Sequence, residues 1–193
     1  MAEEIINRVN QSGLTQIDLE DLRVPGERVF IDIKEQLFQG IALREKDFRE
    51  FIAGQDWSTY TGKHVAVGCS EDAIIPTWAY MLLGVQLTPF AKTLVFGNLA
   101  DLEKTLFEQA LAKIKPTDFQ DAKIVIKGCS KESVPTEAYL KITQLLQPVA
   151  KSLFFGEPCS TVPLFKRKQG NFVLCPRKRK HNTSLLIKLS SIM

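Results

Sequence analysis

One unit occurs twice in this chain, and that repeat constrains the fold more than any other feature. The first copy runs from Lys63 to Gly97 and the second from Lys123 to Gly156. Each reads as a short apolar strand, Gly-Cys-Ser, a polar loop, Pro-Thr, an amphipathic run, and a second apolar strand ending in Phe-Gly. Gly68-Cys69-Ser70 aligns with Gly128-Cys129-Ser130, and Pro76-Thr77-x-Ala79-Tyr80 with Pro135-Thr136-x-Ala138-Tyr139. Strand, helix and strand, twice over, predict an α/β fold. The expected form is a mostly parallel sheet from two duplicated β-α-β units with pseudo-two-fold symmetry and helices on both faces. In that arrangement strands 64–67 and 124–127 lie side by side at a topological switch point. Open α/β sheets bind ligands there, beyond the carboxyl ends of their strands.

The remaining segments fit one domain over residues 1–168. Residues 1–27 read as a lead-in, and Val29 to Ile33 as the first clear strand. Lys46 to Ala53 reads as a helix with Phe48, Phe51 and Ile52 on one face. Asn98 suits the cap of a helix over Leu99 to Ile114. After Phe155 the run Glu157-Pro158-Cys159-Ser160-Thr161-Val162-Pro163 is expected to leave the sheet.

Charge is divided unevenly. From Lys166 onward there are eight Lys or Arg and no acid, so a net charge of +3 hides a body of −5 over residues 1–165. Residues 169–193 are expected to be a disordered basic tail. A nucleic-acid reading would rest on that tail alone, so a nucleic-acid partner is not expected. The start Met1-Ala2-Glu3-Glu4 lacks a signal-peptide pattern, and no apolar run is long enough for a membrane span. A cytoplasmic protein is expected, and four cysteines at this density suit free thiols in a reducing compartment.

Three of those cysteines precede a serine. Cys69 and Cys129 each follow a central strand, and Cys159 follows the last one. Three Cys-Ser steps at one edge of the sheet would offer three thiolates. That set suits zinc or an iron–sulfur cluster, with Cys69, Cys129 and Cys159 as ligands. The usual Cys-x-x-Cys spacing is absent. Two other readings stay open: a reactive thiol that carries sulfur as a persulfide, and cysteines that only fill space. A phosphatase-like or rhodanese-like anion loop does not fit, because Ser70–Ile75 and Ser130–Val134 contain no Arg. His64 and His181 are poorly placed to serve as a base for Cys69.

Val65-Ala66-Val67-x-Cys69-Ser70, Pro76-Thr77-Trp78-Ala79-Tyr80-Met81, Val125-Ile126-Lys127-Gly128-Cys129-Ser130 and Gly156-Glu157-Pro158-Cys159-Ser160-Thr161-Val162-Pro163 resemble a bacterial family, domain of unknown function 2480. The resemblance spans roughly residues 1–168. It implies no established activity. It does imply an association with sulfur-mobilisation machinery, and so iron–sulfur assembly proteins as partners. The function expected is an accessory or carrier protein that holds a metal or iron–sulfur species. Whether it is also an enzyme is left open.

Overall fold

The computed structural model describes residues 13–127, 133–157 and 160–168. Nine strands and four α-helices are formed among them. In chain order they are β1 (Leu14–Ile17), β2 (Arg28–Asp32), β3 (Leu37–Phe38), β4 (Ala42–Leu43), α1 (Glu45–Gly54), β5 (His64–Gly68), α2 (Thr77–Leu87), β6 (Thr93–Phe96), α3 (Leu99–Leu111), β7 (Lys123–Ile126), α4 (Thr136–Leu146), β8 (Ser152–Glu157) and β9 (Ser160–Lys166). The α/β class is as the sequence predicts.

The sheet arrangement differs from the expectation. Three sheets form: β2-β5-β6, β1-β7-β8-β9 and the small hairpin β3-β4. Strand β5 pairs in parallel with β2 on one side and β6 on the other. Strand β7 does the same with β1 and β8. A strand has two hydrogen-bonding edges, and all four here are taken. Strands 64–67 and 124–127 therefore do not lie side by side, and the shared switch point between them does not exist. The lead-in is the reason: it supplies β1, which occupies the edge of β7 that β5 was expected to fill.

A second departure lies after β8. The chain stays in the sheet, because β9 pairs antiparallel with β8 as far as Glu157 opposite Ser160. Gly156 makes this possible. Its φ is +114°, and a Cβ there would sit 2.7 Å from the Ser160 carbonyl oxygen.

The registers of the two larger sheets run in step. Val67 pairs with Phe96 and Ile126 with Phe155, and the 11-residue helices begin at Thr77 and Thr136. Each position in the second set lies 59 residues after its counterpart in the first. On that spacing Cys129 corresponds to Ser70, and Lys127 to Gly68. The match of the Gly-Cys-Ser steps thus needs a one-residue shift that the strands do not share.

Alternation along β5 divides its neighbours. Val65 and Val67 pack with Ala79, Leu83 and Leu87 of α2 and with Phe48 and Ile52 of α1. Ala66 packs with Leu102 and Leu106 of α3. The same helix α3 puts Phe107 and Leu111 into the core formed by Ile17, Ile124, Ile126 and Ile142. One amphipathic helix thus serves two sheets. It starts with a reciprocal cap: the Asn98 side chain accepts from the Ala100 and Asp101 N–H groups, and the Asp101 carboxylate accepts from Asn98 N–H. Arg28 of β2 ties it to the first sheet through Glu103 at 2.6 Å.

Candidate functional site

The carboxyl ends of β2 and β5 place three polar groups together. Asp32 ends β2, and Cys69 and Ser70 follow β5. The Ser70 hydroxyl donates to Asp32 Oδ2 at 2.6 Å and the Ser70 N–H to Oδ1 at 3.1 Å. Lys34 N–H donates to the same Oδ1 at 3.1 Å, closing a turn two residues long. These bonds hold the loop after β5 against the end of β2. Cys69, half-buried, packs against the core beneath α2.

Gly68 lets the neighbouring strand come close. A Cβ there would lie 2.9 Å from the Gly97 carbonyl oxygen and 3.2 Å from the Phe30 ring. The end of β6 is thereby drawn in beside the loop. Phe96, at that end, meets Tyr80 of α2 edge to face with centroids 4.8 Å apart.

The charged groups of this corner are the Asp32 carboxylate and the Lys34 ammonium. Partial burial pushes the Asp32 carboxyl up, but the Ser70 and Lys34 hydrogen bonds and the Lys34 charge outweigh it, so the net displacement is downward. Burial first, and then the negative charges of Cys69 and Asp32, push the Tyr80 phenol up. Lys34 Nζ is 3.8 Å from Asp32 Oδ2. At that distance and on the surface it neutralises the corner weakly.

The corresponding corner of the second sheet is built differently. Asp18 follows β1 as Asp32 ends β2, in Ile17-Asp18-Leu19 and Ile31-Asp32-Ile33. Asp18 Oδ1 also accepts from the N–H two residues on, that of Glu20, at 3.0 Å. Tyr139 and Phe155 repeat the edge-to-face pair at 5.7 Å. Lys127, however, stands where the first sheet has Gly68, and its ammonium donates to Asp18 at 2.8 Å. That hydrogen bond is the main cause holding the Asp18 carboxyl below its usual range, against a smaller upward push from burial. It also raises the lysine, with Glu157 and Asp21 adding to the effect. One corner holds its carboxylate with a lysine hydrogen bond at 2.8 Å, and the other with the Ser70 hydroxyl and a more distant Lys34 ammonium at 3.8 Å.

The two aspartates were legible as a repeated Ile-Asp-apolar step. The repeat from Lys63 onward does not reach them, because both lie at the ends of strands that precede it. Of the predicted ligands, Cys69 is at the carboxyl end of its central strand. Cys129 and Cys159 lie outside the described residues, as do Cys175 and the tail 169–193. Among the described residues, no three His, Cys, Asp or Glu side chains converge in a metal-binding group. His64 is no base for Cys69. It starts β5, about 16 Å of strand away, where its ring bonds to Thr93 Oγ1 at 3.0 Å and Pro25 O at 3.2 Å.

Both aspartates link stability to pH. Their folded-state pKa values are lowered, so their contribution is present above the unfolded carboxylate value of about 3.9 and is lost as pH falls through the folded value. We expect the melting temperature to fall more steeply below about pH 4 for the wild type than for Asp18→Asn with Asp32→Asn. Parallel acid profiles for the two proteins would show that neither pair stabilises the fold.

A family model described as "Protein of unknown function (DUF2480)" matches residues 3–167. No curated protein and no solved structure matches the chain. Among the described residues, no helix is long and apolar enough to cross a membrane.

Proposed function

The chain belongs to the DUF2480 family of proteins of unknown function, and from its own residues we propose an accessory or carrier protein that holds a metal or iron–sulfur species. The observation that carries this reading is that the adjacent strands β2 and β5 end together, so that Asp32 lies opposite Gly68 and is bonded to Ser70, the residue after Cys69. Thiol and carboxylate are both donors to cations. Reactive thiolates instead sit in electropositive surroundings, and the partner of this corner in the second sheet is satisfied by the Lys127 ammonium. The Asp32 corner has a glycine in place of that lysine, and its nearest ammonium, Lys34, is exposed and 3.8 Å away, which leaves room for an external cation.

In this reading Cys69 is a ligand, and Cys129 and Cys159 complete a set of thiolates for zinc or an iron–sulfur cluster. Because β5 and β7 belong to different sheets, the loops after them, rather than strand pairing, must bring the thiols together. We take the two β-α-β units as copies of one ancestral unit. We place the protein in the cytoplasm, where thiols stay reduced, with iron–sulfur assembly proteins as partners.

Anaerobic purification followed by metal analysis and a visible spectrum tests the reading. The wild type is expected to carry zinc, or iron with acid-labile sulfide, at close to one site per chain. Single Cys69→Ser, Cys129→Ser and Cys159→Ser substitutions should each remove most of it. A colourless, metal-free wild type defeats the proposal. Loss in Cys69→Ser alone restricts the site to the Cys69 corner and removes the other two ligands. A sulfur adduct on one cysteine by mass spectrometry, without metal, favours the persulfide reading instead.

A further inference from the structure

The opposite edge of the second sheet carries a different chemistry. Lys123, Lys151, Lys166, Arg167 and Lys168 line one open cleft of about 1050 Å3, with Leu14, Ser152 and Phe154. Register explains why residues so far apart in sequence meet. Lys123 starts β7 opposite Ser152, and Ser152 in turn pairs with Lys166 at the end of β9. The antiparallel return of β9 thus brings Lys166, Arg167 and Lys168 to the same edge as the starts of β7 and β8. Arg167 is paired with Asp121 at 2.7 Å. Among the described residues, no carboxylate pairs with the four lysines.

We propose that this cleft binds single-stranded nucleic acid. Neighbouring strands are about 4.8 Å apart, so cations on three strands extend over roughly 10 Å rather than converge on one point. A row of charges suits a chain of phosphates better than one phosphate. The half-buried Phe154 and Leu14 give the bases an apolar surface. A concave cleft also suits a strand better than the flat surface of a membrane. Basic charge is therefore not confined to the end of the chain: Lys123 and Lys151 of the body meet Lys166, Arg167 and Lys168.

The test uses the full-length protein and a labelled 15-nucleotide oligouridine, followed by fluorescence anisotropy from about 50 to 200 mM salt. Binding is expected, with log Kobs falling against log salt by about 0.7 per phosphate contact, or about 3 for four to five contacts. Lys123→Ala with Lys151→Ala should bind roughly tenfold more weakly, with a slope shallower by about 1.4. Lys151→Arg should bind as the wild type does. Both lysines are exposed, and an unchanged melting temperature checks the fold. An unchanged affinity and slope in the double alanine variant would assign binding to the tail alone and overturn the cleft. Absence of binding by the wild type, or binding only to vesicles of anionic phospholipid, overturns it as well. Cys69→Ser should bind the oligonucleotide normally, which separates this test from that of the metal site.

Discussion

Phe107→Ala is expected to destabilise the protein by about 3–5 kcal/mol. Against total stabilities of about 5–15 kcal/mol, that loss threatens folding itself. Phe107 is among the largest fully buried side chains, 2% exposed, and it enters the core of the second sheet with Leu111. Its helix also supplies Leu102 and Leu106 to the first sheet. The cavity would open in the element that both sheets lean on, so neighbouring side chains cannot close it by shifting toward one sheet without leaving the other. At roughly 2–4 °C per kcal/mol for a chain of this size, melting should drop by about 6–20 °C. Thermal and denaturant unfolding measure it. A loss under about 1 kcal/mol would show that α3 is not the shared support of the two cores.

Gly97→Ala should cost about 2–4 kcal/mol, although it adds one methyl group. Gly97 has φ +129°, where a side chain is strained. Its Cβ would stand 2.5 Å from Asp101 Oδ2. That carboxylate is half of the reciprocal cap of α3, and a lost cap costs about 1 kcal/mol by itself. Backbone strain and cap loss therefore add at one position. Gly84→Ala is the contrast. Gly84 lies inside α2, and a Cβ there meets nothing within 4 Å. Alanine should stabilise that helix by about 0.5–1 kcal/mol. If both substitutions prove neutral in unfolding experiments, the left-handed backbone at Gly97 and the cap it protects are not as described.

The Gly97 result bears on the candidate site as well. Gly68 and Gly97 meet so closely that the ends of β5 and β6 are drawn together beside Cys69. Displacement of Gly97 should therefore disturb the Tyr80–Phe96 contact, and with it the corner that holds Asp32.

The α/β class and the main local elements can be read from the amino-acid sequence. Local signals suffice there. Apolar runs between Gly and Pro mark β5, β6, β7 and β8 within a few residues, and Asn98 with Asp101 marks the start of α3. The repeat likewise located Cys69 after a central strand. Strand pairing, by contrast, depends on contacts distant in sequence. Leu14–Ile17 is a weak strand by composition, yet it takes an edge of β7 because β7 must satisfy backbone groups on both sides. That pairing separates β5 from β7 and removes the single switch point. It also turns Asp18 and Asp32 into paired corners, one filled by Lys127 and the other formed by Cys69, Ser70 and Tyr80. The fate of the chain after Glu157 was equally a tertiary matter. A run with Pro163 reads as a loop, because proline cannot donate to a ladder. At the sheet edge, where β9 lies, that missing donor costs little. The register between β8 and β9, and not any local signal, carries Lys166–Lys168 back to Lys123 and Lys151.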